Sequence, residues 1–408
     1  MNFTDHERAI LKGAHGAGAK KAMEILVSLA RIFGADSMIP IQSSQIAGVS
    51  YLNIGDVGLG FLSDWEEMGA KVSVPSFMNP AGIDRALWKK MGISEHFAQQ
   101  QMKIIATLSR MGVEATLTCT PYHIGQMPTL GDHIAWSESS AVSYANSVCG
   151  ARTNREGGPS ALASAIIGST PAYGLHLDLN RLATHKIHLE CDIRTAADFN
   201  WLGYEIGRRI GDAIPFIEGI SIDMSSWCST LCLKAFGAAM AASGAVALYH
   251  IKDVTPEAIS AGNEILKDHA IELTIDNLDD ARRALQHHAR KLQLVTLGCP
   301  HASLAELTYL ADMLKDVTLK IPLWITTSAQ VVNLAREAGI ISRIEASGAL
   351  VISDTCMVVA PLKDLGFRYI AVDSAKAACY LPSHQNAITY FGTTEQCIES
   401  AKEGRWIN

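Results

Sequence analysis

Apolar and polar positions near the start of the chain recur at helical spacing. Ile10, Ala14 and Ala17, then Ala22, Ile25, Leu26, Leu29 and Ile32, fall three or four apart and predict a helix over residues 5–34. Residues 40–64 are rich in Gly, Ser and short apolar groups and predict a loop with brief strands. Lys71–Pro75 alternates as a short strand before a Pro/Asn/Gly loop. Residues 95–111 predict an amphipathic helix closed by Gly112, and 113–119 a strand running into Cys119. Helices are expected over 138–149 and 159–168, with the polar loop Gly150–Pro159 between them. Beyond about residue 187 the pattern becomes regular. The apolar runs IHLECDI, AVALYH, IELTI, LQLVTLG, LWITT, ALVIS and YIAVDS read as strands, and segments such as 277–289, 303–316 and 328–339 as helices. Strands alternating with helices imply mostly parallel sheets in an α/β fold.

Composition narrows this picture. At ~150 residues per domain, 408 residues imply two or three domains. The hydrophobic fraction of 48% supports a sizeable core and excludes a disordered chain. No linker stands out, so breaks are placed near residues 65, 205 and 375. They give one domain from 1–65 plus 375–408, one from 66–205 and one from 206–374. A net charge of −7 without a Lys/Arg tract disfavours nucleic acid as a partner. Nine cysteines are too few, and odd in number, for a disulfide frame. No leader pattern is visible, and no apolar run reaches the ~18 residues of a membrane span. The expectation is a cytoplasmic protein with free thiols and no membrane contact.

The cysteines carry the candidate chemistry. There is no C-x-x-C and no H-E-x-x-H. Cys228 and Cys232 lie four apart and read as small buried residues on one helix face. Cys191, Cys379 and Cys397 read as core or surface thiols, and Cys149 as the end of a helix. Cys119, Cys299 and Cys356 differ, because each closely follows a strand-like run. Ligands in open α/β sheets bind outside the carboxyl ends of strands, so three thiols from different strands could converge there. Three thiolates on an iron–sulfur cluster leave one iron open. An open metal is a Lewis acid able to take a hydroxyl, which suits dehydration. Gly55, Gly58 and Gly60 do not match G-x-G-x-x-G, so no nucleotide cofactor is expected.

Several stretches are specific when taken together: GVSYLNIGDVGLGFL (48–62), VPSFMNPAGID (74–84), the long block 118–166, YGLHLD (173–178), LGCPHASLAEL (297–307) and SDTCMVVAPL (353–362). Over nearly its whole length the chain resembles the large subunit of aconitase X, a branch of the aconitase superfamily. The resemblance implies three aconitase-like α/β domains, with the fourth, swivelling domain on a separate small subunit that carries a catalytic serine. It implies a dehydratase whose iron centre is held by Cys119, Cys299 and Cys356, as [4Fe–4S], [2Fe–2S] or a single iron. Two substrates are associated with the family, each with a hydroxyl β to a carboxylate. The main expectation is dehydration of cis-3-hydroxy-L-proline to Δ1-pyrroline-2-carboxylate, because the sequence resembles the bacterial type and no extra Lys/Arg cluster for a phosphate is evident. The alternative is mevalonate 5-phosphate. Non-enzymatic alternatives are an iron-sensing RNA-binding protein, or a cluster used only for electron transfer or structure.

Beyond the cysteines, the loop 150–159 is the candidate substrate contact. Arg152 and Arg155 suit a carboxylate, with Thr153 and Asn154 between them. Asn146 and Ser147 on the preceding helix could reach the same site or pack structurally. Glu138 and Ser139 open that helix, as catalytic groups or as caps. Lys376 at a helix start opposes the helix dipole, which points to an anion beside it. His123 and His301 each follow a candidate ligand cysteine, and His123 joins the catalytic candidates.

Overall fold

The computed structural model describes residues 2–285 and 291–407. Among these residues the strands form four sheets, three of them entirely parallel. The expected α/β architecture is thus present.

The smallest parallel sheet has the order Ser76–Met78, Ser44–Ile46, Ala135–Trp136. Helices Ala17–Phe33, Tyr51–Glu67, Glu95–Arg110 and Gly158–Ile167 pack around it. Leu26, Trp65, Ile104 and Leu162 bury their side chains in one cluster with Ile46 and Met78. An antiparallel pair, Met38–Pro40 with Ser169–Pro171, closes this unit.

The second sheet runs His250–Ile251, Pro215–Glu218, Ala183–Leu189, Leu266–Ile275. Its helices Ala196–Ile210 and Trp227–Gly244 cross at glycines. A Cβ on Gly244 would lie 2.1 Å from the Gly207 carbonyl oxygen, so no larger residue fits that crossing.

The third sheet has the order Leu350–Ser353, Leu323–Thr327, Leu294–Ala302, Tyr369–Val372, Ile388–Phe391. Val295, Ile325, Val351 and Tyr390 pack on one face against Leu307, Ala335 and Ile398 of three flanking helices. Strands covered on both faces read as continuous apolar runs, as these do.

Differences from the sequence expectation have local causes. The helix over 5–34 splits into Asp5–Leu11 and Ala17–Phe33 where Gly13 and Gly16 take φ 87° and 92°. Much of 40–64 is the helix Tyr51–Glu67, capped by Ser50 and kinked at Gly55, φ 55°. The strand expected at 71–75 forms instead at 76–78. Residues 113–119 form no strand: they make a single bridge, Phe77 to Glu114, before Leu117 turns at φ 49°. The run 187–193 is shifted to 183–189, leaving Cys191 outside the strand, and 245–250 shortens to 250–251. Of the helix expected at 277–289, Asp279–Leu285 is seen and residues 286–289 lie outside the described residues. The breaks placed near 65 and 205 fall inside helices. The one near 375 falls between two paired strands of a single sheet.

Buried histidines make stability depend on pH. His176 and His250 are 2% and 1% exposed. Burial lowers them from 6.5 to about 3 and about 4. Burial likewise lowers His123 and His301, whereas it pushes the Asp373 carboxyl up to about 6, an opposing effect. The unfolded chain therefore takes up protons first as pH falls from 6.5 to about 4. Stability is full above that window and declines through it, by up to about 1.4 kcal/mol per pH unit for each histidine. Thermal melts across the window should show Tm falling with pH; a flat Tm would contradict the burial argument.

Candidate active site

Two parallel sheets send the carboxyl ends of their strands to one cavity of about 230 Å³. In the small sheet, the chain leaving Ser44–Ile46 supplies Gly48. The chain leaving Ser76–Met78 supplies Asn79, and that leaving Ala135–Trp136 supplies Glu138 and Ser139. In the five-stranded sheet, Leu294–Ala302 supplies Gly298 and Cys299. The chain after Leu350–Ser353 supplies Cys356, and that after Tyr369–Val372 supplies Lys376 and Tyr380. Cys119 completes the wall from the extended segment that follows Leu117. Parallel strands finish on the same side, so side chains far apart in sequence converge there. Gly298 permits the close approach at Cys299. Its φ is 85°, and a Cβ would lie 2.3 Å from the Thr326 carbonyl oxygen.

All three thiols share this wall. The His301 N–H donates to Cys119 Sγ at 3.3 Å, while Ser374 and the Val358 backbone act to lower Cys299 and Cys356. Burial raises every thiol, Cys119 to about 12, while Lys376 opposes that rise at all three. Free of metal they are therefore protonated at neutral pH, and a metal must displace those protons. Among the described residues, no three His, Cys, Asp or Glu side chains are grouped to hold a single metal ion.

Lys376, which is buried, and Glu138, whose side chain is 15% exposed to the cavity, form an ion pair beside the thiols. Lys376 Nζ also donates to Ser140 Oγ at 3.0 Å, and Asn79 Nδ2 donates to Glu138 Oε2 at 2.7 Å. Burial opposes both charges. For Glu138 the adjacent ammonium outweighs burial and holds the carboxyl at about 2. For Lys376, Glu138 and the thiols push the ammonium above its ordinary range. The unfavourable position of Lys376 in the first turn of Ala375–Gln385 is thus offset by the Glu138 carboxylate. Arg155 also lines the cavity. Its guanidinium donates to Tyr380 OH at 3.4 Å, and it makes no ion pair among the described residues. Tyr380 OH lies 3.4 Å from Ser139 Oγ.

The remaining expected residues lie elsewhere. Arg152 pairs with Asp178 and donates to the His176 carbonyl at 3.3 Å. Asn146 clasps Thr153 through both backbone groups, each at 2.9 Å. Asn154 binds Tyr173 and Leu175, and Ser147 accepts from the Tyr249 N–H. These side chains fix the shape of the loop and so aim Arg155. His123 is held neutral by burial, which lowers it to about 4, and it faces Lys234 and Glu306 rather than the cavity. Asn79 and Tyr380 were not evident from sequence; Tyr380 lies one helical turn beyond Lys376, a spacing that puts both on one face. A second cavity of about 380 Å³ lies on the other side of Gly298–Pro300. It is lined in part by Lys234, Glu306 and Cys228, which is exposed rather than buried.

The models of the aconitase X first, second and third domains match residues 1–179, 183–283 and 292–403. The chain belongs to the aconitase X family. It is a dehydratase of that family. This aconitase X chain is 48% identical to the phosphomevalonate dehydratase large subunit of Methanothermobacter thermautotrophicus, over 92% of each chain. It is 44% identical to the protein of the same name from Methanocaldococcus jannaschii, over 98% of this chain and 100% of that one. Identity to the cis-3-hydroxy-L-proline dehydratase of Pseudomonas aeruginosa is 34%, over 98% of this chain and 70% of that one. The crystal structure of holo aconitase X from Thermococcus kodakaraensis matches with TM-score 0.89 and 44% identity, over 98% of this chain and 100% of that chain. No helix among the described residues is long and apolar enough to cross a membrane.

Proposed function

We propose that this chain is the large subunit of a phosphomevalonate dehydratase, and that it works with a small subunit carrying the swivelling domain and a catalytic serine. The observation that carries this reading is the end-to-end match, at 44–48% identity, to large subunits of that name. The hydroxyproline dehydratases stand at 33–34% identity and extend well beyond this chain. The comparisons therefore support the phosphorylated substrate better than the main expectation from sequence.

The cavity chemistry agrees with that choice. Arg155 makes no ion pair among the described residues, although its charge helps to lower Glu138, and Glu138, the acidic residue lining the cavity, is already paired with Lys376. A substrate with two anionic ends finds an Arg155 that makes no ion pair, whereas the ring ammonium of hydroxyproline finds only a carboxylate already paired with Lys376. Arg155 binds an anionic end of the substrate. Lys376 Nζ, kept protonated by Glu138, faces the negative charge that develops when the proton α to the substrate carboxylate is removed. Asn79 and Ser140 hold that ion pair in place.

Cys119, Cys299 and Cys356 fit an iron–sulfur cluster, since the three thiols line one cavity wall with the ammonium of Lys376 nearby, a charge that favours their thiolates. When bound, such a centre supplies a Lewis acid for the departing hydroxyl.

Arg155→Ala should raise KM for mevalonate 5-phosphate by roughly tenfold to a hundredfold, the worth of a hydrogen bond to a charged group. Steady-state kinetics with the paired subunits test this, and an unchanged KM would remove Arg155 from substrate binding.

A further inference from the structure

We propose that His301 is a positioning residue that locks the three cysteine-bearing segments together around the metal centre; this rests on the reading of Cys119, Cys299 and Cys356 as its ligands. His301 is fully buried and lies two residues beyond Cys299. Its backbone N–H donates to Cys119 Sγ at 3.3 Å. Its Nδ1 is 3.0 Å from Thr118 Oγ1, and its Nε2 is 2.9 Å from the Thr355 carbonyl oxygen. A carbonyl only accepts, so Nε2 carries the proton and Nδ1 accepts from the Thr118 hydroxyl. Thr118 immediately precedes Cys119, and Thr355 immediately precedes Cys356. One imidazole thus joins both other ligand segments to the Cys299 segment.

The remaining polar atom of His301 is also used. Its carbonyl accepts from Lys234 Nζ at 3.1 Å. Glu306 holds the same ammonium at 2.8 and 2.7 Å from the helix Leu304–Met313. The brace therefore runs from that helix through Lys234 and His301 to all three thiols. His301 is absent from the cavity wall, so it acts through the cysteines and not on substrate.

The test uses enzyme purified anaerobically with its partner subunit. Iron and sulfide per chain are measured, then the rate at which a ferrous chelator strips the iron, alongside Tm. His301→Ala should lose iron about tenfold or more faster than wild type, the usual scale for groups that orient metal ligands. His301→Gln offers Thr355 an amide N–H and Thr118 a carbonyl, and should recover most of the retention. Ile398→Ala, a buried change on the helix Thr394–Glu403 and outside the brace, supplies a destabilised control that should keep its iron at the wild-type rate. Wild-type retention in His301→Ala, or equal loss from Ile398→Ala at a matched fall in Tm, overturns the proposal. Iron absent from wild type, or retained in Cys299→Ser, overturns the ligand reading itself.

Discussion

Cys299→Ser is expected to remove both the iron and the dehydration. Cys299 sits where the strand Leu294–Ala302 meets the cavity, at the close approach made possible by Gly298. Its side chain is partly exposed and replaced by one of similar size, so the fold should survive with a Tm near that of the wild-type apoprotein. What is lost is one of three thiolates, and with it the holding of the centre at one corner. Lewis-acid stabilisation of a leaving oxygen is worth several kcal/mol, or on the order of a thousandfold in rate. Anaerobic iron and sulfide analysis together with turnover checks this. Activity that survived without iron would show that the elimination needs no metal.

The second large effect concerns the ion pair. Lys376→Met leaves Glu138 largely buried with its main partner gone. Breaking a buried pair from one side costs about 3–5 kcal/mol. Burial, which now raises the carboxyl without opposition from the ammonium, moves Glu138 up from about 2. Glu138 is thereby pushed towards its neutral form. Activity should fall by roughly a hundredfold or more, as when a donor facing developing charge is removed. Glu138→Gln should destabilise less, because Lys376 still donates to Ser140. The double variant separates the two roles. Lys376→Met with Glu138→Gln leaves no buried charge and should regain much of the stability while remaining inactive. Recovery of activity along with stability would make the pair purely structural.

Much of this was legible from sequence in the second half of the chain and less in the first. The strands of the five-stranded sheet are covered on both faces, so ALVIS, LWITT and YIAV stand out as apolar runs. Cys299 and Cys356 could be placed at strand ends for that reason, and Lys376 next to an anion from its place at a helix start. The small sheet has strands of two or three residues, too short for a pattern. The helix Tyr51–Glu67 was hidden by its glycines and its kink. Arg152 and Arg155 are alike as sequence, yet only Arg155 reaches the cavity. The double clasp between Asn146 and Thr153 decides that, and such a contact cannot be read from a loop's composition. The substrate preference from sequence rested on a resemblance to the bacterial type and on counting basic residues, whereas identity is higher to the phosphomevalonate dehydratase large subunit of Methanothermobacter thermautotrophicus than to the hydroxyproline dehydratases. A count of basic residues also does not tell which charges are already paired: Glu138 is, and Arg155 makes no ion pair among the described residues.

The most direct test of the central claim is turnover of mevalonate 5-phosphate and cis-3-hydroxy-L-proline side by side, with the chain purified anaerobically together with its small subunit. The account predicts dehydration of mevalonate 5-phosphate to trans-anhydromevalonate 5-phosphate and no product from hydroxyproline. Turnover of cis-3-hydroxy-L-proline alone would contradict it.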